Sequence, residues 1–155
     1  MDWVGWAFFG LIATAALTAV MVAAQLAGFT RLDLPLVLGT VVTEDPDRAR
    51  AAGFVIHLAV GEGFAFGYAA TFALVGFSSW WLGALLHGIV ALAVLVPVFA
   101  GVHPRMASTR AGPATTAVLE PPGLLALSYG VQTPAVAMAA HLAYGTLLGV
   151  LLAAR

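Results

Sequence analysis

The sequence predicts an all-α integral membrane protein that folds as a four-helix bundle. Only 8% of its 155 residues are Asp, Glu, Lys or Arg, 62% are hydrophobic, and the mean hydropathy is +1.02. A soluble domain needs roughly a quarter of its surface charged, which this composition cannot supply. Four long apolar runs each reach the roughly 20 residues that a membrane-spanning helix requires. They predict spans at about 3–28, 47–77, 80–102 and 134–154 in a single transmembrane domain, residues 1–155.

The first two spans follow from local signals. The first apolar run lacks the basic flank and short apolar core of a secretory signal, so we expect it to remain as a helix. Residues 33–42 are apolar but too short to span, and they either lie at the interface or tuck back among the helices. Asp45, Pro46 and Asp47 predict the start of the second span, as an N-cap, a proline at the first helical position and a first-turn acid.

The remaining connections differ sharply in length. Only a few residues around Ser78 and Ser79 separate the second and third spans, which predicts a tight antiparallel hairpin. By contrast, residues 103–133 form a long, proline-rich connection before the fourth span. Its apolar part, 124–129, is expected to dock onto the bundle.

Charge and tryptophan predict the orientation. The connections 28–50 and 103–133 hold five of the six arginines, and the positive-inside rule therefore makes them cytoplasmic. The four tryptophans, Trp3, Trp6, Trp80 and Trp81, then form an aromatic belt on the other face. We expect a multi-pass protein of the inner (plasma) membrane, in contact with lipid, as a homo-oligomer or part of a larger membrane complex.

Glycine pairs predict where helices meet. Gly63 and Gly67 in the second span, and Gly145 and Gly149 in the fourth, stand four residues apart. Glycines at this spacing leave one face of a helix without side chains, so the backbone of another helix can approach closely. Both pairs are therefore expected to face a neighbouring helix.

A short pattern occurs twice in the chain. Residues 57–61 read H-L-A-V-G and residues 141–145 read H-L-A-Y-G, which suggests two tandem helical hairpins derived from one, although chance matches are common in so biased a composition. His57 and His141 then lie at similar depth and face the bundle interior. His103 ends the third span on the same side. His87 lies near the tryptophan-lined end and is expected to be distant from the other three.

Glu62 is the one carboxyl group predicted near mid-membrane. An ionised carboxylate there costs at least a few kcal/mol, so Glu62 is expected to face the bundle interior and to be protonated or hydrogen-bonded. Its expected neighbours are His87 and the threonines of the first span. Glu62 and His87 are thus candidate proton-responsive groups.

Several functions are compatible with these residues. The chain has no phosphate-binding loop and no hydrolase or zinc-protease motif, which predicts no catalytic residues, no nucleic-acid partner and a non-enzymatic structural or accessory role. A proton-linked channel or transport unit would use Glu62 and the intramembrane histidines. Alternatively, His57 and His141 could ligate haem b or, with His103, a divalent metal; otherwise no cofactor is expected.

A series of apolar motifs follows one order along residues 55–145. They are His57, F-A-F-G-Y at 64–68, W-L-G-A-L-L at 81–86, Pro97 with Gly101, and H-L at 141–142. In this order the chain resembles the YagU-type group of small bacterial inner-membrane proteins, although its 28–50 connection departs from that group. The resemblance implies a bacterial multi-helix membrane protein with an association with acid tolerance, and it supplies no catalytic residues.

Overall fold

Helices make up the regular structure of the chain. The computed structural model describes residues 3–43, 45–95 and 122–154. These residues form the helices α1 (Trp3–Leu26), α2 (Leu34–Gly39), α3 (Pro46–Val75), α4 (Trp80–Ala93) and α5 (Thr133–Ala153), together with a 3-10 segment (Leu124–Tyr129). No strand occurs among them. The prediction of an all-helical protein is confirmed for this part of the chain.

Three of these helices can cross a membrane. α1, α3 and α5 are long and apolar enough to do so, as expected for a membrane protein. α4 is apolar but has only 14 residues, about 21 Å at 1.5 Å per residue. The predicted third span, 80–102, continues past residue 95, and its last seven residues lie outside the described residues.

Two aspartates set the starts of α2 and α3. The side chain of Asp45 accepts a hydrogen bond from the backbone N–H of Arg48, Pro46 occupies the first turn, and Asp47 adds a negative charge there. This cap confirms the predicted start of the second span. Asp33 caps α2 in the same way.

The short apolar stretch 33–42 tucks back among the helices rather than lying apart. Its helix α2 packs against α3 so closely that backbones touch. A methyl group added to Gly39 would lie 1.7 Å from the carbonyl oxygen of Ala49, and one added to Gly53 would lie 1.7 Å from that of Pro35. Only glycine fits at either position, and α2 is therefore held directly on the first turns of α3.

The long helices do not pair as the short connection suggested. α1 packs on both α3 and α5, and α4 packs on α5. α3 and α4 are not an extensive pair in the described residues, so the predicted tight hairpin is wrong. Gly76, in a left-handed conformation with φ 79°, ends α3, and Ser79 caps α4. The chain reverses there, but each helix then packs on a different partner.

The contacts between α1 and α3 recur between α4 and α5. Three residues of α1, spaced four apart, contact three residues of α3 that are also spaced four apart, and the two helices run antiparallel. The chain from Ser79 into α4 contacts α5 in the same way. The first set pairs Gly10 with Ala65, Thr14 with Gly61, and Thr18 with His57; the second pairs Ser79 with Gly149, Gly83 with Gly145, and His87 with His141. Equivalent contacts therefore lie on equivalent residues of the two H-L-A-x-G segments.

Glycine packing is only half as predicted. A methyl group on Gly145 would lie 2.1 Å from the carbonyl oxygen of Gly83, and one on Gly149 would lie 2.3 Å from that of Ser79. Gly63 and Gly67 are different, since an added methyl group at either would meet nothing within 4 Å. The prediction that Gly63 and Gly67 face a neighbouring helix is wrong. The face of α3 that contacts its neighbours is a different one, which includes Gly61.

The 3-10 segment docks onto the bundle, as predicted. Ala126 and Tyr129 are buried, and the carbonyl oxygen of Tyr129 accepts a hydrogen bond of 2.7 Å from the backbone N–H of Arg31. Nearby, the hydroxyl oxygens of Thr30 and Thr133 are 2.7 Å apart. These contacts bring the connection after α1 and the one before α5 to the same end of the bundle.

A candidate ligand site lined by histidines

A cavity of about 240 Å³ lies among the helices. Side chains from all five helices line it, and most are apolar. The polar residues of the wall are Thr14, His57, His87, His141 and Tyr144. We call this space the histidine cavity. Among the residues that the structure describes, no Asp, Glu, Lys or Arg lines it, so its chemistry there is that of imidazoles and hydroxyls in an apolar surrounding.

His57 enters the histidine cavity from α3. The residue is only 9% exposed, and its Nδ1 lies 3.1 Å from the hydroxyl oxygen of Thr18 on α1. That hydroxyl already donates its single hydrogen to the carbonyl oxygen of Thr14, at 2.8 Å. Nδ1 of His57 therefore carries a proton and donates it to Thr18.

His141 enters from α5 with the same protonation. Its Nδ1 lies 2.7 Å from the carbonyl oxygen of Ala137, one turn earlier on the same helix. A carbonyl oxygen can only accept, so Nδ1 of His141 carries the proton as well. In the neutral ring this leaves Nε2 as the acceptor, as it does for His57.

His87 lies with the other two histidines, contrary to the prediction that it is distant. Its ring stacks on that of His141 with centroids 5.2 Å apart and on that of Tyr144 at 4.0 Å. The prediction is wrong because it aligned the helices by their ends. The packing instead places Gly149 of α5 beside Ser79, just before α4 begins, and two further turns then bring His141 to His87.

Two tyrosines hold the walls together. The hydroxyl of Tyr68 on α3 lies 2.7 Å from Nδ1 of His87, which joins α3 to α4. The hydroxyl of Tyr144 on α5 donates to the carbonyl oxygen of Gly61 on α3, at 2.6 Å. Sequence reasoning missed both tyrosines, although Tyr144 lies inside the second H-L-A-x-G segment.

The histidine cavity has an opening on the outer surface of the helices. Val60 lines the cavity and is also 49% exposed, so it stands at the rim. The exposed residues near it on α3 are apolar too, among them Phe54, Val55 and Phe66. At the connection end, Leu34 and Leu38 of α2 complete the wall.

Glu62 lies apart from the histidine cavity, against α1. A methyl group on Gly10 would lie 2.8 Å from Oε1 and 2.9 Å from Oε2 of Glu62. Both oxygens are enclosed, and neither has a hydrogen-bond partner in the part of the chain that the structure describes. Glu62 thus faces the interior, but the expected bonds to His87 and to the threonines of α1 are absent among those residues.

Of the three histidines predicted to hold a divalent metal, His57 and His141 line the cavity, and His103 lies outside the described residues. Within residues 3–43, 45–95 and 122–154, no group of three or more His, Asp and Glu side chains is arranged to hold a metal ion.

Comparisons with models of known protein families, with curated proteins and with solved structures found no match. The resemblance to the YagU-type group therefore stays a prediction.

Proposed function

We propose that this protein is a non-enzymatic, multi-pass membrane protein that binds a small, mostly apolar molecule in the histidine cavity. The observation that carries the proposal is the cavity itself, with a volume of about 240 Å³ and a mostly apolar wall into which three histidines project. Ligand sites are typically concave and apolar, with a few polar groups that orient the ligand. The opening at Val60 supports delivery from the bilayer.

The volume favours a ligand of about one ring. An apolar cavity of roughly 150 Å³ takes up benzene, so 240 Å³ suits a substituted single ring. Haem b, with four pyrrole rings, would need a much larger space between His57 and His141. An absorption spectrum and metal analysis of the purified protein test the haem and metal alternatives.

Toluene is a suitable probe of this proposal. With ¹⁵N-labelled histidine in protein reconstituted into nanodiscs, we expect toluene to shift the signals of His57, His87 and His141 saturably. Val90→Phe fills the cavity wall and should abolish the shifts. Ile89→Phe is the matched control, because Ile89 is 57% exposed and does not line the cavity. Equal responses of both variants, or no response of the natural protein, would reject the proposal.

The proposal includes a fourth span. A bundle of four membrane-spanning helices is supported by the apolar helix α4 and by the repeated contacts of α1 with α3 and of α4 with α5, which favour two tandem hairpins. The bonds of Thr30 and Arg31 to residues 128–133 agree with 28–50 and 103–133 on one side, which we propose is the cytoplasm. Topology reporters at 108–112 and after Arg155 should then report opposite sides, and the same side would exclude four spans.

Glu62 favours a second function, as a proton-responsive group. Its enclosed carboxyl oxygens lack a compensating partner among the described residues, and an uncompensated charge at that depth is costly. Uptake or loss of a proton there would change its contact with Gly10 on α1. Glu62→Gln should keep the fold and remove any pH-dependent proton flux in proteoliposomes. An unchanged pH profile would leave Glu62 with a structural role only.

A further inference from the structure

The proton positions in the histidine cavity restrict what can bind there. Because Nδ1 of His57 donates to Thr18 and Nδ1 of His141 donates to Ala137, the remaining ring atom, Nε2, is an acceptor in both neutral histidines. A neutral imidazole is the form that an apolar membrane interior favours. Neither Nε2 has a hydrogen bond to a residue of the described part of the chain.

Hydrogen bonds at Nδ1 fix the orientation of both rings, so Nδ1 and Nε2 do not exchange places by a ring flip. A flipped His141 would turn its Nδ1–H away from the Ala137 carbonyl, and that carbonyl would lose a donor at 2.7 Å. His57 is oriented likewise by its hydrogen bond to Thr18, whose hydroxyl donates its own hydrogen to the carbonyl oxygen of Thr14. Histidines that bind ligands are commonly oriented by just such a bond at the other ring nitrogen.

An apolar ligand alone would leave both acceptors unsatisfied. A polar group that is buried without a partner loses its hydration without compensation. A ligand that carries a hydroxyl group would satisfy the acceptor and keep the ring in the apolar part of the cavity. Sites built around buried hydrogen-bonding groups therefore discriminate strongly against analogues without the matching group.

We propose that the ligand of the histidine cavity is a hydroxylated single-ring compound. A hydroquinone would donate one hydroxyl to Nε2 of His57 and the other to Nε2 of His141, and a phenol would donate its single hydroxyl to one of the two. This inference rests on the proposed binding function and specifies its ligand class. The ring of the ligand occupies the space beside Phe64 and Val90, and apolar substituents extend past Val60 towards the membrane. All of these residues line the cavity.

The test compares three ligands of similar shape that differ in one group. The probes are 4-methylphenol, which can donate a hydrogen bond, 4-methylanisole, which cannot, and toluene. Binding is measured by ¹⁵N-histidine spectra of the protein in nanodiscs, after correction for the partition of each probe into empty nanodiscs. We expect 4-methylphenol to bind at least tenfold more tightly than 4-methylanisole, and to cause the largest shift at the Nε2 signal of His57 or of His141, whichever accepts its single hydroxyl.

The outcomes separate this inference from the proposed function. Toluene binding with no preference for 4-methylphenol would overturn the ligand class and leave the binding function intact, whereas the absence of any binding would overturn both. In the double variant His57→Phe, His141→Phe, toluene binding should persist and the preference should vanish. Should that variant not fold, the spectrum of the natural protein without ligand still decides, since a proton on Nε2 of both histidines would contradict the inference.

Discussion

The close approach of α4 and α5 leads to a specific prediction for Gly145→Ala. The new methyl group would lie 2.1 Å from the carbonyl oxygen of Gly83 and 2.8 Å from Cβ of His87. An ordinary carbon–oxygen contact is about 3.3 Å, so the backbones of α4 and α5 would have to separate by about 1 Å. Gly63→Ala is the matched control, because nothing lies within 4 Å of its added methyl group.

The expected magnitude follows from that overlap. Overpacking a well-packed site typically costs about 1–3 kcal/mol, and the gain in helix preference from glycine to alanine is common to both variants. We therefore expect Gly145→Ala to be less stable than Gly63→Ala by about 2 kcal/mol, roughly thirtyfold in the unfolding equilibrium. Reversible unfolding by sodium dodecyl sulfate in mixed micelles measures this difference. Equal stability of the two variants would refute the described register of α4 on α5.

Three other substitutions test single contacts by the same unfolding assay. Tyr144→Phe removes the hydrogen bond to the carbonyl oxygen of Gly61 and should cost about 1 kcal/mol or somewhat more; no loss would mean that the hydroxyl is not bonded there. Asp33→Ala removes both the cap of α2 and the ion pair with Arg50 at 2.9 Å, and should cost about 1–2 kcal/mol. Arg50→Ala leaves the cap in place but removes the half-exposed ion pair with Asp33 and a longer one with Asp47 at 3.4 Å. It should cost less than about 1 kcal/mol, less still at high salt; equal losses for the two variants would argue against the cap.

Local signals in the sequence were sufficient for the helix starts. The cap by Asp45 and Pro46 depends only on neighbouring residues, and the structure has it as predicted. The docking of 124–129 likewise followed from an apolar stretch inside a polar connection.

The rotation and register of the helices could not be predicted in this way. Gly61 and Gly63 are equally small, and only the position of Thr14 on α1 makes Gly61 the contact residue. His87 was misplaced because the ends of a helix do not reveal its register. The close contact between Gly149 and Ser79 depends on how two helices pack, and it cannot be predicted from either sequence segment alone.

The histidine cavity was missed for a related reason. A short connection between two spans normally predicts that they pack together, but α3 and α4 each find a closer partner in α1 and α5. α1 and α5 pack closely, whereas α3 and α4 meet through side chains, as in the bond of Tyr68 to His87 and the ring contact of Phe64 with His87. No spacing in the sequence indicates those contacts.

The central claim is that His57, His87 and His141 surround one apolar space that a small molecule can enter. The most direct measurement is an experimental structure of the protein from crystals held under xenon pressure, because apolar cavities of this kind take up xenon. The account predicts a xenon peak between α3 and α4, in contact with Val90 and close to the three histidine rings. It would be contradicted by α3 packed directly on α4 with no xenon between them, or by a His87 ring separated from that of His141.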